Sequence, residues 1–255
     1  MVTIDNLGFS YCSSQGTTTL FKGCSHTFSD GCIHAVIGHS GCGKTTLLYL
    51  LAGLLKSEEG CLMHGSIDLS KGPIERAIIL QDFGLLPWKR VDENIALGLK
   101  VKGMDASLRT EKVVSMMKEV GIAHLSTYYP SQLSGGEKQR CAIARAVIVQ
   151  PKLLLMDEPF SALDAMNRES MQELLVSIQK KHAMTCIMVT HSIEEAAYLS
   201  DFIHVLTRGE RGSVFLPPIK NSHPNGVERK EYRKSSEYFA LCVKLRGLLE
   251  KEGER

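Results

Sequence analysis

The 255-residue chain is short of the features that mark several protein classes. Its 8 cysteines (12, 24, 32, 42, 61, 141, 186 and 242) are scattered along the whole length. No two stand two residues apart as in a zinc knuckle, so reduced, buried thiols are expected instead of a metal cluster or a disulfide framework. No apolar run is long enough to span a bilayer; Leu47 to Leu55 is interrupted by Tyr49 and Gly53. The opening Met1-Val-Thr-Ile-Asp5 has no basic cluster leading into an apolar stretch, so no secretory leader is expected, and a cytosolic chain is. A net charge of +2 is too small to argue for nucleic acid or an anionic membrane surface. What remains, 44% apolar and 23% charged residues, describes one large α/β domain or a domain with a subdomain.

The pattern Gly38-His-Ser-Gly-Cys-Gly-Lys-Thr45 fits a glycine-rich phosphate loop. The apolar run Cys32 to Ile37 reads as a strand leading into it, and Lys44 to Leu55 as the helix leaving it. Gly38, Gly41 and Gly43 let successive backbone N–H groups converge on a β-phosphate, assisted by the helix N-terminus. Lys44 supplies a charge for the β- and γ-phosphates, and the Thr45 hydroxyl a ligand for Mg²⁺. His39, Ser40, Cys42 and Thr46 complete the expected nucleotide-binding stretch. This pattern alone leaves kinases, GTPases, helicases and transport ATPases open.

Downstream, Leu153-Leu-Leu-Met-Asp157-Glu158 reads as a buried strand presenting two carboxylates at its carboxyl edge, where ligands bind in parallel sheets. Asp157 is expected to hold a water on Mg²⁺ and Glu158 to polarise the attacking water. Thr185 to Val189 reads as another buried strand, and His191 just beyond it is placed for the γ-phosphate. The other histidines (26, 34, 39, 64, 124, 182, 204, 223) carry no comparable context. Residues 91–130 read as helices, Asp92 to Leu99 and Ser107 to Val120, forming an insert between strand-rich stretches. Ala165 to Lys181 and Ser235 to Leu249 read as further helices, the last amphipathic.

Leu133-Ser-Gly-Gly-Glu-Lys-Gln-Arg140, shortly before the carboxylates, resembles the signature of ABC-type ATPases, and with the phosphate loop the resemblance covers nearly the whole chain. It implies an α/β fold: a P-loop nucleotide-binding core with an N-terminal antiparallel β subdomain and a helical ABC signature subdomain. On that plan residues 1–90 and 150–216 form the core with its β subdomain, 91–149 the signature subdomain, and 217–255 a C-terminal helical tail. The resemblance also implies that Tyr11, with Phe9 as the alternative, stacks on adenine. Gln81 would ligate Mg²⁺ and sense a membrane partner, and Ser161 to Asp164 would form a loop at a dimer interface. Two copies would sandwich each ATP between the phosphate loop of one and Ser134, Gly135 and Gly136 of the other. Glu137 stands where many relatives carry Gln; it is expected to lie along the helix surface with little effect.

Asp82-Phe-Gly-Leu-Leu-Pro-Trp88, with Asp92-Glu-Asn94 and Glu158-Pro-Phe-Ser-Ala-Leu-Asp164, resembles the ATPase subunits of nitrate, sulfonate, taurine and bicarbonate importers, whose relatives also carry vitamin precursors. The implied role is an ATP-hydrolysing subunit on the cytoplasmic face of the membrane, peripheral to separate permease subunits. An extracytoplasmic solute-binding protein would be served indirectly, and nucleic acid would not be bound. Phe83 to Trp88 would line a groove for a permease helix, with core packing equally open for Leu85 and Leu86. The competing class is the non-transport ABC ATPases of chromosome maintenance, repair and translation. Chromosome-type relatives insert long coiled coils where this chain has only residues 46–132, and translation-type relatives carry two sets of motifs. The transported solute is not encoded here.

Overall fold

The structure, a computed structural model, describes residues 1–13, 16–71, 76–221 and 229–253. His223 lies outside them. The chain forms two compact units, Met1–Ile74 with Thr185–Arg255, and Glu75–Met184. The first begins with β1 (Val2–Ser13), β2 (Gly16–Phe28), β3 (Ile33–Ile37), α1 (Lys44–Ala52), β4 (Glu59–His64) and β5 (Ile67–Asp68). The second contains β6 (Arg76–Ile79), α2 (Val91–Val101), α3 (Ala106–Glu119), α4 (Gly135–Val147), β7 (Leu153–Asp157) and α5 (Ala165–His182). The first unit resumes with β8 (Thr185–Val189), α6 (Ile193–Leu199), β9 (Phe202–Gly209), β10 (Gly212–Phe215) and β11 (Ile219–Lys220). It closes with α7 (Arg229–Tyr232) and α8 (Ser236–Gly253).

In the first unit an antiparallel sheet has the order β2-β1-β4-β5. Val2, Ile4, Leu7 and Phe9 of β1 are buried, with a shift of register after Ile4. The second sheet of this unit centres on β3, parallel to β8 on one side and to β9 on the other, with β10 and β11 antiparallel to β9. β3 and β8 are buried throughout, which explains why their sequences, His34 and Thr185 apart, are apolar without alternation. In the second unit, β6 and β7 pair in parallel beside the helices. Arg140 of α4 donates to the Val120 carbonyl (2.8 Å) and to Ser170 Oγ of α5 (2.8 Å), tying three helices together.

Two helix ends lie about three or more residues from expectation. α1 stops at Ala52 because Gly53 turns left-handed (φ 73°) and its N–H closes on the carbonyls of Tyr49 and Leu50. α8 runs on to Gly253. The cysteines are free thiols, with Cys24, Cys42, Cys141 and Cys186 buried; the expectation of burial fails for Cys12, which is exposed near the end of β1. Among the described residues no helix is long and apolar enough to cross a membrane, and no three or more His, Cys, Asp or Glu side chains cluster to hold a metal ion.

Three histidines form a chain inside the first unit. His26 Nε2 lies 2.7 Å from His204 Nδ1, His204 Nε2 lies 2.9 Å from His34 Nδ1, and His34 Nε2 donates to the Ser29 carbonyl at 2.8 Å. One consistent set of tautomers follows, with each ring donating through Nε2 and each of His34 and His204 accepting at Nδ1. Phe215 stacks on His26 and Phe202 on His34. Burial in this aromatic setting lowers all three pKa values. His26 falls to about 4, helped by His34, and His204 to about 2, helped by His26 and His34. For His34 the Ser29 carbonyl and the carboxylates of Asp201 and Asp30 act against the burial that lowers it.

The folded state therefore holds neutral rings that the unfolded chain protonates near pH 6.5. This stability is fully present above that pH and is lost as pH falls from 6.5 towards 4. Thermal midpoints measured from pH 8 to 4 should be level above 7 and decline steadily below 6.5. A midpoint that stays level down to pH 4.5 would contradict the neutral chain.

Candidate active site

In the first unit, β3 delivers the chain to residues 38–46. A Cβ on Gly38 would lie 2.1 Å from the Leu206 carbonyl oxygen of β9 and 2.9 Å from Cys42 Sγ. Glycine is thus required by packing before any ligand is considered. Gly41 and Gly43 have φ of 79° and 97°, the left-handed region that favours glycine. Gly43 is also the N-cap of α1. Lys44 turns back over the loop, its Nζ donating to the carbonyls of Gly38 (2.8 Å) and His39 (2.9 Å), with Cys42 Sγ at 3.9 Å. The ammonium is therefore centred on the loop. Burial raises the Cys42 thiol pKa, keeping it protonated, while Lys44 opposes that effect. Ser40 and Thr45 are exposed.

Tyr11 at the end of β1 is 47% exposed, so its ring is open to a ligand, and its hydroxyl is 3.1 Å from Thr46 Oγ1. Phe9, the alternative, is buried and meets Tyr11 edge-on at 5.0 Å. Its role is to prop the tyrosine. His191 is exposed between two fixed neighbours: the Thr190 hydroxyl donates to Glu195 (2.7 Å), and Ser192 caps α6.

In the second unit, Asp157 ends β7 and is 3% exposed. Glu158 follows with φ 45°, a left-handed conformation that costs a non-glycine residue about 1 kcal/mol or more. Such strain persists only where the surroundings impose it. Here the Glu158 carbonyl accepts from Ser161 N (3.2 Å) and Oγ (3.0 Å). Gln81 Nε2 donates to Glu158 Oε2 at 3.4 Å, so these two candidates meet.

Ser134 caps α4. Glu137 does not lie along the helix surface as expected: its carboxylate folds back to accept from Ser134 N and Oγ, both at 2.7 Å. Those bonds, led by the Ser134 hydroxyl, lower its pKa. A Cβ on Gly135 or Gly136 would meet only ordinary contacts, at 3.6 Å and 3.5 Å, from Ala162 and Asn167 respectively. Neither glycine has a positive φ. Among the described residues of this unit nothing requires them to be glycine. The same contacts place the signature beside Ala162 and the Asp164-capped start of α5.

Two residues that sequence reasoning passed over organise the segment 83–90. Asn94, fully buried in α2, accepts from Leu86 N (2.8 Å) and donates to the carbonyls of Leu86, Lys89 and Arg90. Arg145 of α4 donates to the carbonyls of Gly84 (2.6 Å) and Phe83 (2.8 Å), where Phe83 itself is left-handed at φ 66°. Leu85 and Leu86 are half-buried, and Trp88 projects with 71% of its surface exposed. The Asp92-Glu-Asn94 string was the available signal for Asn94; Arg145 had none. Beside this segment a cavity of 470 Å³ opens between α2 and α3, lined by Lys89, Arg90, Leu97, Arg109, Val113 and Met117 among others.

A phosphate loop between a buried parallel strand and a helix, with paired carboxylates ending another strand, defines a nucleoside-triphosphate-hydrolysing α/β protein. The family model described as ABC transporter matches residues 21–161, more than half of the chain. The chain belongs to that family. It is 41% identical to the taurine import ATP-binding protein TauB of Yersinia pestis over 209 residues, 82% of this chain and 80% of TauB. It is 40% identical over 244 residues to the bicarbonate transport ATP-binding protein CmpC of Synechocystis sp., 94% of this chain. The chain spans only 36% of the length of CmpC. Among solved structures it is similar to the ATP-binding cassette MJ0796, in a dimeric post-hydrolysis state bound to ADP and Pi, with TM-score 0.76 and 27% identity. That likeness covers 88% of this chain and 100% of the cassette. It fits the expected fold, α/β with an antiparallel sheet and a helical part, and the match to importer subunits favours transport over the chromosome, repair and translation class.

Gly38→Ala should cost about 1–3 kcal/mol of stability by overpacking and lower ATP affinity in the same variant. An unchanged thermal midpoint and unchanged affinity would show that the Leu206 contact does not shape the loop.

Proposed function

We propose that this chain is the energy-coupling ATPase of an importer for a small anionic solute, the class to which bicarbonate and the sulfonate group of taurine belong. The observation that carries the reading is the loop of residues 38–46, with its glycines fixed by packing and backbone conformation and Lys44 centred on it. Backbone N–H groups of Gly38, His39, Ser40, Gly41, Cys42 and Gly43 take the phosphates with Lys44, and Thr45 and Thr46 follow them into the helix. Tyr11 stacks on the base, a role its exposed ring supports.

The residues expected to hold Mg²⁺ offer hard oxygens, the donors that ion takes: the Thr45 hydroxyl, the Gln81 amide oxygen and, through a water, the Asp157 carboxylate. Gln81 directs its nitrogen to Glu158, which leaves its oxygen as the other end of the amide. When bound, the ion neutralises charge on the phosphates. Glu158 orients the attacking water and takes its proton, and His191 holds the γ-phosphate side of that water. Lys44 stabilises the charge that develops on the phosphoryl oxygens.

Ser134, Gly135 and Gly136 serve a second copy of the chain. Two glycines that their own surroundings do not demand are explained by close approach of a triphosphate from outside, received at the N-terminus of α4. Ser161 to Asp164 lies against them and carries dimer contacts. The segment Phe83 to Trp88, supported from below by Asn94 and Arg145, presents Trp88 to a permease helix entering the α2–α3 cleft. The chain then works peripherally on the cytoplasmic face of the membrane, with permease subunits and, through them, a solute-binding protein. ATP closes the pair of copies, closure moves the permease near Gln81, and phosphate release reopens it.

Glu158→Gln should lower the ATPase rate by about 10²–10⁴-fold, the usual worth of a positioned base, and should trap an ATP-bound dimer visible by size-exclusion chromatography with Mg²⁺. In the same assay series, Trp88→Ala should keep basal hydrolysis while losing ATP-driven uptake in reconstituted vesicles. A Glu158→Gln protein that stays monomeric with ATP, or keeps its rate, contradicts the scheme.

A further inference from the structure

The C-terminal helix ends on the phosphate loop. α8 is tied along the first unit by Tyr238 Oη donating to the Glu194 carbonyl (3.3 Å), by the Arg246–Glu194 ion pair (3.4 Å) and by the buried Leu245. At its far end two further contacts hold it. His39 Nε2 donates to the Leu249 carbonyl at 2.7 Å, and the Thr207 hydroxyl donates to the Glu252 carboxylate at 2.8 Å. His39 belongs to the loop itself, and its own carbonyl accepts from Lys44 Nζ at 2.9 Å. One loop residue is thus gripped by the helix end through its side chain and by the loop lysine through its backbone.

The polarity of this contact is unusual for an anion site. The last turn of a helix carries unpaired carbonyls and a partial negative charge, and phosphates are received at the opposite end. Residues 250–252 add two carboxylates, Glu250 and Glu252, against one ammonium, Lys251. The His39 imidazole N–H, a donor at the lip of the loop, is already spent on the Leu249 carbonyl.

We propose that the end of α8 is an autoinhibitory latch: docked on His39 and Thr207, it opposes nucleotide binding in the loop, and bound nucleotide in turn loosens the helix end. The latch rests on the reading of residues 38–46 as the nucleotide loop. Linkage makes the two effects reciprocal, so either can be measured. A permease or regulator that lifts the helix end would raise ATP affinity without touching the site.

The test uses the full chain with ADP and a non-hydrolysable ATP analogue as probes. Thr207→Val and Glu252→Gln remove the latch contact outside the loop. Each should tighten binding in calorimetry by about two- to fivefold, the range of a charge effect at a helix terminus. In the wild-type chain, ADP should speed amide hydrogen exchange of residues 249–253, and this effect should shrink in Thr207→Val. Binding that is unchanged or weaker in both variants, or helix-end amides that ADP leaves alone or protects, overturns the latch. Lys44→Ala separates the two ideas: if it binds nucleotide as the wild type does, the loop reading itself has failed.

Discussion

The contact on which the nucleotide site depends is a backbone approach, the Leu206 carbonyl of β9 pressed against Gly38 where β3 gives way to the loop. It exists because β3 lies between β8 and β9 in parallel pairing, with His34 to Ile37 in register with Phe202 to Val205. The sheet sets the height at which the loop starts, and the left-handed Gly41 and Gly43 set its curvature. Lys44 can then reach back to the carbonyls of Gly38 and His39. A methyl group at position 38 disturbs the sheet contact, the Cys42 side chain and the lysine's acceptors together. Rigidity of this kind is what a preorganised anion site needs, since donors already in place need no reorganisation when charge arrives.

The second unit solves a different problem with the same economy. Glu158 is held in a strained backbone conformation directly after a buried strand, its carbonyl capped by Ser161 and its carboxylate touched by Gln81. The residue proposed to activate water is thereby linked to the residue proposed to report on the membrane partner. Asn94 and Arg145 bind the carbonyls of the following segment from two helices, which holds the backbone that carries the exposed Trp88.

What could be read from sequence was what local rules determine. The loop glycines, the buried strands ending at Ile37, Asp157 and Val189, and most of the helices followed from spacing and continuous apolar runs. The contacts that escaped are long-range or depend on backbone angles. His26, His34 and His204 looked like unrelated surface or core histidines, yet strand pairing and the packing of one sheet on another join residues 178 and 170 positions apart into one chain. Glu158 gave no hint of its left-handed backbone, and Glu137 no hint that it would fold onto Ser134. The end of α8 and His39 are 210 residues apart, beyond any motif. Gly135 and Gly136 were recognised through family resemblance; the structure adds that no internal contact accounts for them.

The central claim is that each ATP is read by the loop of one copy and by Ser134 to Gly136 of another. It is tested most directly by mixing two inactive variants, Lys44→Ala and Gly135→Asp, and measuring ATP hydrolysis. If the site is shared between copies, a mixed dimer contains one composite site with both parts intact, and the mixture recovers activity that neither variant has alone. If loop and signature serve the same nucleotide within one chain, every site keeps one defect and the mixture stays inactive, which would contradict the account.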